Sequence, residues 1–446
     1  MKEAIIVKAI SILTTKLLAK GLKMIGRGGS LPGQIGLKLD ANILNTLKFK
    51  GPVVLVTGTN GKTSTANMIS DLFEKAGKKV ISNRKGDNLK EGIATTLLTH
   101  SSLDGIVQAD AVVLEVDELN IKYILPNIPV TALVVNNFFR DQLDRAKEME
   151  LLIESIENVL GDYDQTLVLN GNDPNVVRLA LKSPKAHKVY FGLAKNQYST
   201  ITTHEANEGK FCPNCGSLLQ YAHYQYSHIG QFKCSACQFK TPFLHIELKD
   251  INLDDNTFVC FDHTFTCPYD GMYSMYNCAA VIAVADIYGV ELECIDSVFA
   301  NAPQPKGRNE KFAFGDQKVV LNLIKNPTGA NEVLKVIEKD CCKKTILIAL
   351  NDREQDGTDI SWIYDTYFEK VMTASTESFI CTGARAYDMA LRLQYGGYKG
   401  EILVKESMNE AVQVAMHRSK TVYAIATYTA LLPVRAAIVK EGQAHA

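Results

Sequence analysis

Residues 56–65 read VTGTNGKTST, and this stretch decides the fold because it joins a strand end, a glycine-rich turn and a helix start. The apolar run at 52–56 has the length and β-branching of a buried parallel strand. TSTANMISDLFEKAGKK, at 63–79, has helical spacing and ends on a Gly-Lys stop signal. A turn between such elements presents backbone N–H groups to phosphate oxygens. The stretch therefore predicts a nucleotide site, with a purely structural turn as the alternative.

This turn is shorter than the general phosphate-binding loop, which has four residues between its first glycine and the Gly-Lys pair. Only two residues separate Gly58 from Gly61. We expect Lys62 to reach the terminal phosphates as a catalytic cation and the Thr63 hydroxyl to bind Mg²⁺. The predicted nucleotide-binding residues of the loop are Gly58, Thr59, Asn60, Gly61, Lys62, Thr63 and Ser64.

Strands alternate with helices around this motif. Short apolar runs recur in KVISN, ADAVVLEVDE, VTALVVNN and QTLVLNGNDP, a pattern typical of a doubly wound parallel sheet with ligands at the carboxyl ends of its strands. Glu115 closes one of these runs, so we expect it to bind Mg²⁺, directly or through water, and to serve catalysis. The alternative is an ordinary solvated acid in a turn with Asp117 and Glu118.

Composition narrows the class of protein. A chain of 446 residues with 22% charged residues and a net charge of -1 is an ordinary globular protein without the basic field expected of a nucleic-acid binder. We find no signal peptide pattern and no membrane-spanning run, and expect a cytoplasmic protein. The first 26 residues predict a basic amphipathic helix. It is expected to dock on its own protein, with a membrane-surface helix as the alternative.

Four of the eleven cysteines form the pairs CPNC and CSAC, separated by 18 residues. Reduced thiols at this spacing are typical of a closed, structural Zn²⁺ site. We therefore predict a zinc ribbon inserted at about 203–245, whose aromatic and histidine residues pack around it rather than bind nucleic acid. The predicted zinc ligands are Cys212, Cys215, Cys234 and Cys237.

A second alternating series begins after PQPKGRNEKF, with KVVLNLIK, KTILIALND, SFICTG, GEILVKE and KTVYAIATY as its strands. It predicts a C-terminal Rossmann-like α/β domain. The expected organisation is an N-terminal helix and connector at 1–49, a central ATP-binding domain with the insertion at 50–311, and the second α/β domain at 312–446.

The short loop G-T-N-G-K-T-[ST] resembles that of the Mur ligases and folylpolyglutamate synthases, ATP-dependent enzymes that activate a carboxylate as an acyl phosphate. In that family the shorter loop is normal. The resemblance continues in order through NNFFRDQLDR, LNGNDP, GMYSMYNCAAVIA, PKGRNEKF and LNLIKNPTG, and so covers about 50–335. It implies a Mur ligase-like central domain, with Asn277 reading adenine and Arg308 meeting the ATP phosphates.

The chain departs from the family pattern at several positions. Gln142 stands where the family has a metal-contacting His, and Asn322 and Lys325 replace the Asp and His of D-Y-A-H-N-P. The lysine that many Mur ligases carbamylate is absent, and Glu154 and Glu157 stand near its place. Only about 50 residues precede the loop, so the domain that binds a UDP-linked precursor is not expected.

Together with the four-cysteine insertion, GRGGSLPGQIGLKL and ALNDREQDGTDISWIYD are similar to the synthetase subunits of lipid II isoglutaminyl synthases. This resemblance implies a ligase of peptidoglycan synthesis that amidates the α-carboxylate of D-glutamate in lipid II at the inner face of the membrane. It also implies ATP, Mg²⁺ and a heterodimer with a glutaminase subunit of the GatD type. No nucleic-acid partner is implied.

The same resemblance places an aspartate of the C-terminal domain into the Cys–His pair of the glutaminase, where a carboxylate orients and stabilises an imidazole. Asp356 is the first candidate for this catalytic role and Asp359 the second, and a turn-forming Asp is the alternative. This chain has no G-x-C-x-G nucleophile motif, and Cys381 is expected to be a buried small residue.

Two other functions remain open from the sequence. A stand-alone amino-acid ligase of the folylpolyglutamate synthase type would turn over ATP with an amino acid and no partner. A non-enzymatic scaffold would bind nucleotide without carboxylate chemistry, and Glu115→Ala would then leave its function intact.

Overall fold

The computed structural model describes residues 2–24, 28–84, 86–139, 149–203, 208–303 and 307–445. Two compact units divide the chain, one running to residue 139 and continuing over 149–302, the other beginning at residue 303. Each unit is built on a mostly parallel sheet covered by helices.

The first unit contains a nine-stranded sheet and a separate two-stranded hairpin. Its strands are β1 Val53–Thr57, β2 Val80–Ser82, β3 Ala111–Glu115, β4 Ala132–Val135, β5 Thr166–Asn170, β6 His187–Leu193, β7 Leu219–Tyr226, β8 Ile229–Cys234, β9 Ile246–Asn252, β10 Thr257–Cys260 and β11 His263–Thr266. The sheet order is β11-β10-β9-β6-β5-β4-β1-β3-β2, and β7 pairs with β8. The strands from β9 to β2 in this order are parallel, and β10 and β11 add an antiparallel edge.

Helices cover both faces of this sheet because β1 is apolar on both. Val54 and Val56 belong to the same core cluster as Ile69 of helix Lys62–Lys75. Val53 and Leu55 belong to the cluster on the opposite face of the sheet, which includes Ile93. A strand buried on both faces is the signature of a doubly wound parallel sheet. The helices of this unit are Lys2–Met24, Leu31–Leu39, Lys62–Lys75, Lys90–Thr99, Ile121–Ile124, Met149–Leu160, Pro174–Val177, Met272–Ile287 and Leu292–Asn301.

The strand order reverses at β1, which lies between β3 and β4. A chain leaving β1 therefore enters the crevice where open α/β sheets bind ligands. The loop at 58–61 and the ends of β3 and β4 meet at this edge of the sheet.

The glycine-rich stretch GRGGSLPGQIG, part of the connector expected within 1–49, contains the start of helix Leu31–Leu39 in its second half. A Cβ on Gly33 would lie 1.9 Å from the carbonyl oxygen of Glu91, and one on Gly36 would lie 2.4 Å from Thr15 Oγ1. These glycines let three helices approach closely. A glycine-rich composition, which usually suggests a loop, here serves the packing of helices.

The first helix, Lys2–Met24, docks on its neighbours through Ser11, Ile12 and Thr15, which are fully buried. In the ranges that the structure describes, every helix is too short or too polar to cross a membrane.

The second unit contains a six-stranded sheet of order β12-β13-β17-β14-β15-β16. Its strands are β12 Glu310–Phe314, β13 Gln317–Leu323, β14 Lys344–Ala349, β15 Thr376–Thr382, β16 Glu401–Val404 and β17 Thr421–Ala426. Only β12 runs antiparallel to its neighbour. The helices are Pro327–Lys339, Ala386–Tyr395, Met408–Arg418 and Tyr428–His445. The order reverses between β14 and β17, which places a second crevice at their carboxyl ends.

Candidate functional site

The loop after β1 is held in a conformation that requires glycine at two positions. Gly58 has φ +130° and Gly61 has φ +85°, in the region that L-residues rarely adopt. A Cβ on Gly61 would also lie 2.2 Å from Asn277 Oδ1. Helix Lys62–Lys75 starts immediately afterwards, so the N–H groups of its first turn face the crevice. Thr63 is half-buried and Ser64 is buried in its first turn.

The Lys62 ammonium is buried and turned back over its own loop. Its Nζ donates to Gly58 O at 2.6 Å and to Thr59 O at 3.3 Å, and lies 3.1 Å from both carboxylate oxygens of Glu118. The Lys62 and Glu118 side chains are only 10% and 9% exposed. A buried pair of this kind is costly to break on one side alone. Sequence reasoning assigned Lys62 but gave no role to Glu118.

Two asparagines after β4 brace the loop from the other side. Asn60 N donates to Asn137 Oδ1 at 2.8 Å, and Asn137 Nδ2 donates back to Asn60 O at 3.1 Å. Thr59 N donates to Asn137 O at 2.9 Å. Asn136 Oδ1 is buried and has no hydrogen-bond partner among the described residues. The braced loop fits a phosphate-bearing ligand because it is ordered in advance of it, whereas the unused Asn136 acceptor suits a donor group or a cation.

Glu115 is buried at the end of β3, opposite Val56 in the parallel register. Asn88 Nδ2 donates to Glu115 Oε1 at 2.8 Å. Asn83 bridges to the backbone of Glu115 in both directions, at 2.8 Å each. The carboxylate is thus fixed at the edge of the crevice beside the loop. Its position and donor chemistry suit a hard cation such as Mg²⁺.

Asn277 lies on helix Met272–Ile287 and is 3% exposed. Its Oδ1 accepts from Asn136 Nδ2 at 3.5 Å, and its carbonyl group lies against Gly61. The structure therefore brings Asn277 to the loop. Its predicted contact with adenine stays a prediction.

Arg308 belongs to the second unit, where it is half-buried in a tight turn before β12. The next residue, Asn309, has φ +50° and donates its N–H to Asn322 Oδ1 at 2.8 Å. Asn322, which stands in place of the family's Asp, therefore shapes the turn that carries Arg308. Gln142 lies outside the described residues.

Asp356 is 2% exposed and sits in the second crevice, after the end of β14. Thr429, which follows β17, donates to its carboxylate through both N–H, at 2.7 Å, and Oγ1. Arg353 N also donates to it, at 3.2 Å. Asp359 is half-buried and accepts from Ser361 N at 2.8 Å. The Asp356 carboxylate is therefore held inward by its own chain.

Two further sequence interpretations concern single residues. Cys381 is fully buried, as expected, and burial raises the pKa of its thiol to about 12, so it is no activated nucleophile. Glu157, near the position of the missing lysine, is buried in a two-pronged ion pair with Arg178 at 2.8 and 3.1 Å. Arg178 therefore compensates its charge within the chain.

The four predicted ligands come together at the base of the β7–β8 hairpin. Their sulfur atoms all lie within 4.8 Å of one another, close to the ~3.8 Å edge of a tetrahedron with 2.3 Å Zn–S bonds. Cys212 and Cys237 are 3.6 Å apart, and Cys215 and Cys234 are 3.4 Å apart. These distances are much longer than a disulfide bond. The donor set fits a closed tetrahedral metal site.

The tip of the same hairpin reaches the residues that follow β4 and β5. His228 is fully buried, and its Nε2 lies 3.2 Å from Asp173 Oδ1. Its ring packs 4.8 Å from that of Phe139, which follows the asparagines after β4. Burial lowers the pKa of His228, but the carboxylates of Asp173 and Glu208 outweigh it and raise the pKa to about 10. The hairpin thus places the His228 imidazole between two carboxylates beside the residues that follow β4 and β5, a role the sequence does not reveal.

Comparison of the sequence with known proteins assigns the chain to a family. Residues 56–285 match the model of the Mur ligase middle domain, and 323–431 match that of the MurT ligase C-terminal domain. The chain is 33% identical over 95% of its length to the lipid II isoglutaminyl synthase (glutamine-hydrolyzing) subunit MurT of Staphylococcus aureus strain COL, covering 96% of that protein. It is also 33% identical to the corresponding subunit of Streptococcus pneumoniae, covering 93% of each chain.

A solved structure shares the fold: the pseudomurein peptide ligase type C of Methanothermus fervidus, at 21% identity, has a TM-score of 0.69 over 90% of this chain and 81% of its own. Fold and site together define a Mur ligase-type enzyme. More narrowly, the chain belongs to the MurT family of Mur ligase-like synthetase subunits.

Proposed function

We propose that this chain catalyses ATP-dependent amidation of the α-carboxylate of D-glutamate in the lipid II stem peptide. One observation carries the proposal: an intact phosphate loop lies in a chain that matches, over 95% of its length, a relative named for isoglutaminyl synthesis. The product is D-isoglutamine within lipid II, and the reaction belongs to peptidoglycan synthesis.

The reaction proceeds in two displacements. A carboxylate oxygen of the substrate attacks the γ-phosphorus of ATP, the bond to ADP breaks, and an acyl phosphate forms. Ammonia then attacks the acyl carbon, the carbon–oxygen bond to phosphate breaks, and a proton is lost from the nitrogen. Lys62 and Arg308 offset the charge on the transferring phosphoryl group. Because Lys62 is bound to Glu118 in the free chain, nucleotide binding must draw its ammonium away from that carboxylate.

Two kinds of metal complete the proposal. Mg²⁺, held by the Thr63 hydroxyl and Glu115, would supply positive charge beside the phosphates. Zn²⁺, held by Cys212, Cys215, Cys234 and Cys237, would have no open coordination position and would be structural. Asn277 is placed in this proposal at the adenine.

The ammonia comes from a second protein, a glutaminase of the GatD type that binds the C-terminal domain. The buried thiol of Cys381 supports this assignment, because a glutaminase requires an activated cysteine. Asp356 is proposed to complete the partner's catalytic triad, which requires its carboxylate to leave Thr429 when the partner binds.

The test is ATP hydrolysis and product mass with lipid II and ammonium chloride, without any partner protein. A product lighter by the difference between a carboxyl and a carboxamide group, absent with Lys62→Ala, is expected. A folded, ATP-binding chain that gives no amide at high ammonium, alone or with GatD and glutamine, contradicts the proposal. Incorporation of an amino acid instead would indicate a ligase of the folylpolyglutamate synthase type.

A further inference from the structure

The first helix exposes a continuous apolar stripe to solvent. The stripe consists of Ile6, Ile10, Leu13, Leu17 and Met24, each between 47% and 81% exposed. At 100° per residue these five side chains fall within about 60° of one another around the helix axis. An ordinary surface helix turns such a stripe towards the core. This helix does the reverse.

The orientation of the helix is fixed by specific contacts on its opposite face. Ser11 Oγ donates to Gly36 O at 2.8 Å, and Thr15 Oγ1 donates to Pro32 O at 3.4 Å. Gly36 has no room for a side chain, since a Cβ there would lie 2.4 Å from Thr15 Oγ1. Ile12 is buried in the same face. Because the Ser11 and Thr15 hydrogen bonds and the buried Ile12 hold this face in place, a rotation that hid the stripe would break these contacts.

Basic residues accompany the stripe. Lys20 lies on the stripe side of the helix, and Lys16 and Lys23 follow along one edge of it. Residues 5–24 contain no acidic residue. Apolar side chains bordered by lysines match the chemistry of a bilayer interface, where acyl chains lie beneath anionic phosphate groups. The lysines and the short apolar segments make the helix unsuited to crossing the bilayer.

We propose that this stripe binds the surface of an anionic lipid bilayer, with the helix lying in the interface plane. The inference rests on the proposed function and deepens it. The proposed substrate is lipid-linked and therefore confined to a membrane. Membrane docking would hold the enzyme beside that substrate and raise its effective concentration.

The experiment is co-sedimentation of the full chain with vesicles of phosphatidylcholine alone or mixed with phosphatidylglycerol, without ATP or lipid II. The stripe variant is Leu13→Glu with Leu17→Glu. The charge variant replaces Lys16, Lys20 and Lys23 with Gln. The matched control is Leu432→Glu, an exposed leucine of the second unit.

Wild type and the control should bind mixed vesicles, and the stripe variant should lose binding. The charge variant should weaken by about fivefold per lysine and wild-type binding should fall with salt. Unchanged thermal midpoints establish that the variants fold. Equal binding by the stripe variant, or equal binding to neutral vesicles, overturns the inference. So does a concentration-dependent dimer that the stripe variant abolishes, since a second copy would then cover the stripe.

Detergent-solubilised lipid II separates the two proposals. Loss of vesicle binding with intact amidation would reject the membrane surface alone. Intact vesicle binding without amidation would reject the proposed reaction alone.

Discussion

His228 and Asp173 form a fully buried ion pair, 3.2 Å between Nε2 and Oδ1, that joins the tip of the cysteine-bearing hairpin to the turn after β5 of the nine-stranded sheet. Asp173 Oδ2 also accepts from Phe138 N at 2.9 Å, one residue beyond the asparagine that braces the loop. A continuous set of contacts thus runs from the hairpin to the residues around Asn60. The four-cysteine insertion therefore helps to support the loop at 58–61.

The pair predicts an unusual pH dependence of stability. The pKa of His228 in the folded chain, about 10, exceeds its unfolded value of about 6.5. The stabilisation is therefore complete below pH 6.5 and is lost as the pH rises towards 10. The thermal midpoint of wild type should fall across this window, while His228→Gln should start lower and fall less. The surface variant His187→Gln is the control, and a slope unaffected by His228→Gln would refute the prediction.

Removing the carboxylate of Asp173 should destabilise the fold strongly. Asp173→Asn leaves the buried His228 with one of its two carboxylate neighbours, Glu208 at 3.2 Å from Nδ1, and weakens the contact to Phe138 N. We expect a loss of about 3–5 kcal/mol in the free energy of unfolding, as for other broken buried pairs. Denaturant titration measures this loss, and ATP affinity measured under folding conditions should also decline. A variant as stable as wild type would show that the pair contributes little.

Glu118→Gln tests the resting position of Lys62. Removing the carboxylate takes the anionic partner from a buried ammonium that also donates to the Gly58 and Thr59 carbonyls, so the free chain should be destabilised relative to the nucleotide complex. We expect ATP to bind more tightly, by about tenfold or less for a shift of ~1 kcal/mol, whereas Lys62→Met should abolish binding. Calorimetric titration with ATP and Mg²⁺ provides the measurement. Weaker binding by Glu118→Gln would instead indicate that this carboxylate contacts the metal or the phosphates.

Sequence reasoning succeeded where the signal is local. The strand, glycine turn and helix around Lys62 are contiguous in the sequence. The four cysteines have the spacing that is typical of a zinc site. Both groups of residues could therefore be predicted. Glu118, Asn137 and His228 acquire their roles through contacts between residues 55 or more positions apart. No local pattern encodes such pairings. Helix Leu31–Leu39 was missed because its glycines serve packing, and the outward face of the first helix depends on the same contacts.

The cysteine cluster predicts one zinc ion per chain. Cys212→Ser should release the metal, measured by elemental analysis, and should loosen the hairpin because its core of Phe232 and Phe239 is small. Cys341→Ser, at an exposed cysteine of the second unit, is the matched control and should keep the metal. Since the hairpin carries His228, loss of zinc should also lower the thermal midpoint of the first unit. Full metal content in Cys212→Ser would exclude a four-cysteine site.

Substitution of Asp356 can distinguish a structural role of its carboxylate from a catalytic one. Its carboxylate binds Thr429 and Arg353 N in the free chain, so Asp356→Asn should cost about 1–3 kcal/mol of stability by mismatching a buried acceptor. If the carboxylate also orients the partner's histidine, glutamine-driven amidation in the complex should fall by up to about 10⁴-fold. Amidation driven by ammonium chloride should persist, because it bypasses the glutaminase.

Asp359→Asn is the matched control, since Asp359 lies three residues away and accepts only a local hydrogen bond from Ser361 N among the described contacts. Both nitrogen sources are assayed with each variant at a temperature where both remain folded. Equal loss of the glutamine-driven and ammonium-driven reactions in Asp356→Asn would assign the residue to folding alone. Selective loss in Asp359→Asn would transfer the interface role to that residue, because only a group acting on the partner's triad distinguishes the two nitrogen sources.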